Sequence, residues 1–217
     1  MGISTNGKRG NDMKLMEVIL RDENLDEAMK RVKSNKGVPG VDKMLVDEID
    51  AYFETNRETI KKQILEKKYK PQPVKRVYIP KPNGKKRPLG IPTVVDRVIQ
   101  QAVAQELSRI YDETFSDNSF GFRPHRSAQN AMMRTLDYLN EGYEWVIDLD
   151  IEAYFDTVNH DKLISILRER VFDSATLHLI RKIPAGRNHG KRTGQIEYTR
   201  YATRRTTESD SIKYLLR

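Results

Sequence analysis

Apolar side chains recur at the spacing of an α-helix along the first part of the chain. A capping-box pattern at residues 24–27 opens a first predicted helix, whose apolar stripe contains Leu25, Ala28, Met29 and Val32. Apolar residues at positions 49, 53, 60, 64 and 65 continue this period and predict a second and a third helix. Pro71 and Pro73 then end the helical run.

The helical pattern returns after a stretch of strand-like sequence. Thr93 and Asp96 resemble a capping pair for a long amphipathic helix that reaches about residue 111. Shorter helices are predicted at residues 128–139, 160–170 and 174–182. The chain is therefore expected to be rich in helix.

Two parts of the sequence have the pattern of strands instead. Residues 75–79 and 87–91 flank Pro82-Asn83-Gly84, which predicts a β-hairpin with a tight turn. Residues 145–151, W-V-I-D-L-D-I, predict a buried strand that ends in an acidic side chain. Together the patterns predict an α+β fold, helix-rich, with a β-hairpin and a short antiparallel sheet.

Composition excludes several classes of protein. The 217 residues allow one large domain or two small ones, because domains usually contain about 100–200 residues. No apolar run approaches the roughly 20 residues that span a bilayer, so an integral membrane protein is excluded. The absence of cysteine excludes disulfides, thiolate zinc sites and a cysteine nucleophile. The N-terminus has no apolar signal core, which predicts a cytoplasmic protein.

The net charge of +8 indicates a polyanionic partner, but the charge is unevenly distributed. Residues 183–217 contain eight basic and three acidic side chains. Most of the basic excess therefore lies in this tail. Individual residues, rather than the overall charge, must support nucleic-acid binding by the folded part.

Two features of the sequence are candidates for chemistry. Asp148 and Asp150 lie at the end of the predicted strand, where carboxylates can bind a divalent cation together with substrate phosphate oxygens. The alternative is that both are exposed positions between core residues. Four cations surround the hairpin turn and are suited to gripping a triphosphate, or simply keep an exposed edge soluble: Lys81, Lys85, Lys86 and Arg87.

Four blocks in this order make the chain similar to group II intron-encoded reverse transcriptases, from about residue 13 to residue 182. They are N-K-G-V-P-G-V-D (35–42), Y-K-P-Q-P-V-K-R-V-Y-I-P-K-P-N-G-K-K-R-P-L-G-I-P (69–92), F-G-F-R-P-H-R-S-A (120–128) and D-L-D-I-E-A-Y-F-D-T-V-N-H (148–160). The resemblance implies right-hand polymerase fingers plus a partial palm. It divides the chain into an N-terminal extension with the start of the fingers (1–70), fingers (71–142), partial palm (143–182) and a tail (183–217).

The resemblance implies a role for several residues of the palm block. Asp150 matches the first catalytic aspartate, which binds Mg²⁺, or Mn²⁺ as an alternative, with the Ile151 carbonyl as a second ligand. Asp148 is the alternative if the register is shifted by two. Phe155, or else Tyr154, matches the aromatic side chain beneath the sugar of the incoming nucleotide.

It also implies contacts to nucleotide and nucleic acid outside the palm. Lys81 and Arg87 match the fingers cations that bind the incoming triphosphate. The 120–126 loop, with Arg123 and Arg126, matches a block that lies against the template, although a structural turn is an equal alternative. The 35–42 loop matches a lid over the template and primer. A basic set could supply further phosphate contacts: Lys36, Lys61, Lys62, Lys67, Lys68, Lys70, Lys75 and Arg76.

The family's function is DNA synthesis on an RNA template, with intron RNA, primer-template and dNTP as partners, no membrane, and a homodimer as a further option. A nucleoid-associated activity is an alternative to a purely cytoplasmic one. The family's T-P-Q-G-G-P-L-S-P block and Y-A-D-D strand do not occur in these 217 residues. The chain alone is therefore expected to be inactive. The alternatives are a non-catalytic intron RNA-binding fragment and a two-metal nuclease using Asp148, Asp150 and Asp156.

The genetic code suggests why the first of those blocks is missing. Codons for residues 201–214, read one base forward, can encode T-P-Q-G-G-P-L-S-P-I-L-S-N-I. This predicts that a one-base insertion near codon 182 put the tail out of frame. Residues 183–217 are then expected to be poorly ordered, as their composition also indicates.

Overall fold

A computed structural model of the chain describes residues 14–80, 84, 86–150 and 158–183. Its longer elements follow the predicted order. The helices are α1 (Leu15–Ile19), α2 (Asp22–Ser34), α3 (Ile49–Leu65), α4 (Val94–Tyr111), α5 (Ala128–Asn140), α6 (His160–Leu167) and α7 (Ser174–Lys182). The strands are β1 (Lys75–Pro80) and β2 (Lys86–Ile91), and single 3-10 turns lie at Val46–Glu48 and Asp112–Thr114. No helix of the described part is long and apolar enough to cross a membrane.

Helix α4 runs through the middle of the hydrophobic core. Its buried apolar residues are Val94, Val98, Ile99, Ala102 and Val103. The helix begins as predicted, because the Thr93 hydroxyl accepts a hydrogen bond from the Asp96 amide. One cluster of buried side chains joins residues of α1 to α4 with residues of α6 and α7. The proposed boundaries at residues 70, 142 and 182 stay predictions, since one core draws on the first three segments.

Helix α2 begins earlier than the capping box predicted. It starts at Asp22, which puts Asn24 inside the helix and buries its side chain. The Asn24 amide nitrogen donates to the carbonyls of Ile19 (2.8 Å) and Ala102 (3.1 Å), and Gln105 Nε2 donates to Asn24 Oδ1 (2.6 Å). The capping prediction was wrong because this side chain satisfies buried polar groups between α1, α2 and α4.

The apolar pattern at positions 49–65 belongs to one helix rather than two. Ile49, Phe53, Ile60 and Ile64 lie on the buried face of α3. Leu65 at its end is exposed. The change in apolar spacing therefore does not interrupt the helix, because one long amphipathic helix presents all four side chains to the core.

In the described part of the chain, the β-sheet consists of the two strands of the hairpin. Strands β1 and β2 are antiparallel, with Lys75 opposite Ile91 at the base and Pro80 opposite Lys86 at the tip. Gly84 in the connection has a φ of 77°, a left-handed conformation that favours glycine in turns. The hairpin prediction is therefore confirmed.

The buried strand predicted at residues 145–151 is not present in the described residues 145–150. This acidic segment is assigned to no helix or strand, and Trp145 is 93% exposed. Val146, Ile147 and Leu149 are exposed as well. The prediction was wrong for this chain because a strand needs a neighbour to pair its backbone and cover its side chains, and the described residues supply none.

Helix α5 leaves its apolar residues equally uncovered. None of its residues is buried, and its exposed large apolar side chains are Met132, Met133, Leu136 and Leu139. Methionine is more often a core residue, and Met16 and Met29 are buried in the core, whereas Met132 and Met133 are exposed. The helical period predicted the helix correctly, but it cannot show whether a packing partner exists.

Candidate functional site

The hairpin presents its charged tip at the end of a two-stranded ribbon. Ile79 lies opposite Arg87 in the ladder, and exposed Lys86 begins β2. Lys81 and Lys85 lie outside the described residues, as does the side chain of Arg87. The register nevertheless leaves only residues 81–85 to connect the strands, so the predicted cations share one short stretch of chain. Their role in triphosphate binding stays a prediction.

Asp148 and Asp150 are both exposed in the acidic segment. Ile151, Tyr154, Phe155 and Asp156 lie outside the described residues. Within the described part, no group of three or more acidic or histidine side chains has the geometry to hold a metal ion. The donor chemistry fits Mg²⁺, which prefers carboxylate oxygens, but here it amounts to one or two carboxylates. Substrate phosphates or further carboxylates would have to complete such a site.

The 120–126 loop is organised around the buried side chain of Arg123, which is 6% exposed. Its Nε donates to Asp112 Oδ1 (2.7 Å), and its Nη2 donates to the Asp112 carbonyl (2.9 Å). Its Nη1 donates to the carbonyls of Ser116 (2.8 Å) and Ser119 (3.2 Å). The hydrogen bond from Arg123 lowers the pKa of Asp112. This geometry is that of the structural turn, because the guanidinium donors are directed at the protein itself.

Arg126 in the same loop is more accessible. Its Nη1 donates to the Asp117 carbonyl (3.0 Å), and its guanidinium lies 5.6 Å from the centre of the Phe120 ring. The Arg126 side chain is 30% exposed, compared with 6% for Arg123. Of the two arginines predicted to contact template, Arg126 therefore keeps the greater access to a ligand.

The 35–42 loop docks where β2 passes into α4. A Cβ added to Gly40 would lie 2.8 Å from Thr93 Cα and 2.9 Å from the Pro92 carbonyl, so only glycine allows this approach. Arg97 Nη2 of α4 donates to the Val38 carbonyl (2.9 Å). The structure thus brings two of the sequence blocks together, the 35–42 loop and the end of the hairpin block. Exposed Lys36 lies in this loop.

The buried carboxylate of Asp96 connects the segment before β1 to α4. From the sequence, Asp96 was predicted only as part of a helix cap. Asp96 Oδ1 accepts from the Tyr69 hydroxyl (2.7 Å), and Oδ2 accepts from the Thr93 hydroxyl (2.7 Å) and the Gln72 amide (2.9 Å). Burial raises the pKa of Asp96, while these hydrogen bonds oppose the rise. Asp96 is therefore a positioning residue that fixes the approach to β1.

Some basic residues of the set predicted to contact phosphates form ion pairs within the protein, and others are exposed to solvent. Lys61 donates to Asp22 (2.7 Å) and Glu58 (3.0 Å), and Lys68 pairs with Glu66 (2.7 Å). Arg76 lies in β1 and is half-buried. The exposed lysines Lys36, Lys62, Lys67, Lys70 and Lys75 are the more accessible candidates.

Residues 79–207, more than half of the chain, match the protein family described as "Reverse transcriptase (RNA-dependent DNA polymerase)". The chain therefore belongs to the reverse transcriptase family. The match contains β2, α4 and the acidic segment, and it overlaps the tail that was predicted to be out of frame. The frame hypothesis itself stays a prediction about the DNA.

Its relatives place the chain among group II intron proteins within that family. It is 38% identical over 180 residues to "Protein YkfC" of Escherichia coli strain K12, covering 80% of this chain and 47% of the relative. It is 38% identical over 170 residues to "Group II intron-encoded protein LtrA" of Lactococcus lactis, covering 78% of this chain and 28% of the relative. The chain thus spans less than half the length of both relatives.

Comparison with solved structures supports the fold. The chain in "Partial Cas6-RT-Cas1--Cas2 complex" matches with a TM-score of 0.55 and 20% identity, over 94% of this chain and 34% of that one. At this identity the likeness concerns the fold. The predicted membership of the group II intron reverse transcriptases and the helix-rich α+β class are both confirmed.

Proposed function

We propose that this chain supplies the fingers and the first part of the palm of an RNA-directed DNA polymerase from a group II intron. The observation that carries the proposal is the 38% identity to an intron-encoded protein over most of the chain. The ordered appearance of all four sequence blocks supports it. The proposed partners are intron RNA, primer-template and dNTP, in the cytoplasm; a homodimer stays a prediction.

In the complete site, each candidate residue has a defined task. Asp150 and the Ile151 carbonyl would hold Mg²⁺, which would supply positive charge beside the triphosphate and the primer 3′-hydroxyl. Lys81 and Arg87 would bind the triphosphate oxygens, and Phe155 or Tyr154 would support the sugar. The 35–42 loop, anchored by Gly40 and Arg97, would close over the nucleic acid.

The 217 residues by themselves are proposed to bind RNA without synthesising DNA. Asp150 is exposed in a segment that has no strand partner among the described residues, and the Y-A-D-D strand is not in the sequence. One carboxylate with a backbone carbonyl is a poor set of ligands for two metal ions. The RNA-binding candidate is favoured because exposed lysines lie on the 35–42 loop and the hairpin.

We expect this chain to bind single-stranded RNA with an affinity that falls steeply with salt. Changing Lys36, Lys75 and Lys86 together to Gln should lower the slope of log affinity against log salt by about two, since each lost phosphate contact removes about 0.7. Fluorescence anisotropy over a salt series measures the slope. The matched control changes Lys14, Lys30 and Lys162, which are also exposed.

Equal slopes for the two triple variants would contradict the proposed RNA surface. Incorporation of dNTP by the 217-residue chain on a primed RNA template, lost on Asp150→Ala, would contradict the proposed inactivity. Mg²⁺-dependent cleavage of RNA without nucleotide would favour the two-metal nuclease instead.

A further inference from the structure

A cavity of about 480 Å³ lies between the end of α3 and the pair α6 and α7. We call it the basic cavity. Its lining residues are Lys67, Ile164, Arg168, Val171, Phe172, Ser174, Leu177, His178 and Arg181. None of them belongs to the hairpin, the 35–42 loop or the acidic segment. Lys67 is shared with the basic set predicted to contact phosphates, whereas the other eight lining residues are not among the candidate polymerase residues.

The rim of the basic cavity is positively charged. Lys67, Arg168 and Arg181 contribute three cations, and none of the nine lining residues is acidic. Lys67 Nζ lies 3.3 Å from the Ser174 hydroxyl, and Arg181 also pairs with Asp161, which is outside the lining. Arg168 is exposed at the end of α6. Such a group of cations suits an anion with several oxygens, because arginine and lysine both bind phosphate.

The floor of the basic cavity is apolar, and an aromatic ring stands beside it. Ile164, Val171 and Leu177 are buried, whereas Phe172 is 57% exposed. An exposed phenylalanine next to a buried apolar floor offers a flat face for stacking. Base-on-aromatic stacking of this kind is a common means of holding unpaired nucleotides.

The wall contains a histidine with a buried acceptor. Burial lowers the pKa of His178, and neighbouring Lys182 lowers it further. The ring hydrogen-bonds to the backbone of Lys67, and its Nε2 is buried without a partner in the described part of the chain. A neutral imidazole that donates through Nδ1 has a lone pair on Nε2.

We propose that the basic cavity binds one unstacked nucleotide of a single-stranded nucleic acid, with its phosphate at Lys67, Arg168 and Arg181 and its base against Phe172. Cations, an aromatic face and an apolar floor within one cavity are the combination that a nucleotide requires. The site is a second nucleic-acid contact and does not depend on the proposed metal chemistry.

The test uses the full 217-residue chain and short oligonucleotides without secondary structure. Phe172→Ala should weaken binding about tenfold through the loss of stacking. Arg168→Gln should lower the salt slope by about 0.7, the value for one phosphate contact to a single strand, whereas Arg170→Gln, an exposed neighbour outside the lining, should not. Lys67→Gly should also weaken binding. Its control is Lys43→Gly, because both lysines have positive φ, 57° and 62°, and both are exposed.

Photo-crosslinking with 4-thiouridine and 4-thiothymidine oligonucleotides locates the contact and separates RNA from DNA. We expect crosslinked peptides from residues 168–178 with one or both probes. Tighter binding of the ribo-oligonucleotide would assign the site to RNA, and equal binding would assign it to single strands in general.

Crosslinks confined to other regions, or Phe172→Ala and Arg168→Gln variants that bind like their controls, would overturn the proposal. Displacement of the oligonucleotide by polyglutamate, with no effect of Phe172→Ala, would also overturn it, since the cavity would then be a general polyanion site. Failure of the Lys36, Lys75 and Lys86 variant alone would affect only the proposed polymerase surface.

Discussion

Asp150→Asn should lower dNTP incorporation by at least about 10³-fold in a chain whose reading frame continues through the missing polymerase blocks. The predicted insertion implies that removal of one base near codon 182 would give such a chain, and sequencing the DNA past codon 217 checks this first. The loss is expected because Asp150 matches the carboxylate that binds the metal ions, and asparagine keeps the shape but removes the charge. Primer extension on an RNA template at saturating Mg²⁺ measures it.

Asp148→Asn is the matched control for Asp150→Asn. Both carboxylates lie in the same exposed segment, two residues apart. We expect Asp148→Asn to retain most of the activity. The reverse order of effects would mean that the register of the motif is shifted by two, and full activity of both variants would contradict the proposed metal site.

Phe53→Ala should lower the free energy of unfolding by about 3–5 kcal/mol. Phe53 is 1% exposed in the middle of α3, and it belongs to the core shared by the N-terminal helices with α6 and α7. Truncation removes buried apolar surface and leaves a cavity that the neighbouring helices fill only in part. Urea unfolding followed by circular dichroism measures the change.

Leu65→Ala on the same helix is the control for Phe53→Ala. Leu65 is 51% exposed, so its truncation should change the free energy by no more than about 0.5 kcal/mol. If Phe53→Ala does not fold, Phe53→Leu should fold with a loss below about 1.5 kcal/mol. Equal stability of Phe53→Ala and the parent chain would contradict the single core.

The sequence predicted elements whose signals are local. Thr93 and Asp96 marked the start of α4 because a cap acts within one turn, and Gly84 marked the hairpin turn because it needs positive φ. The prediction that Asn24 caps a helix was wrong. In sequence, a capping asparagine cannot be distinguished from a buried one, and here the Asn24 side chain bonds to the Ala102 carbonyl of the neighbouring helix. Local patterns therefore predicted most element positions but not their partners.

The acidic segment and α5 show the same limit on a larger scale. Their apolar residues predicted burial, yet Trp145 and Met132 are exposed. An apolar side chain is buried only where another part of the protein packs against it. In the candidate site, the sequence block at residues 120–128 identified Arg123 as a candidate ligand for the template. It could not show that the Arg123 guanidinium donates hydrogen bonds to Asp112 and Ser116 of the protein itself. The basic cavity had no sequence signal, because Lys67, Phe172 and Arg181 are far apart along the chain.

Trp145 offers a direct test of the claim that the acidic segment begins the palm of a reverse transcriptase. It is the single tryptophan of these 217 residues. In the longer chain any other tryptophan is changed to phenylalanine, so that the fluorescence of both chains reports this segment alone. We predict that acrylamide quenches it in the 217-residue chain nearly as fast as free N-acetyltryptophanamide. In the longer chain, whose reading frame continues through the missing polymerase blocks, we predict a blue-shifted emission and severalfold slower quenching. The reason is that strands of the completed palm would then cover the indole. Identical emission and quenching in the two chains would contradict the account.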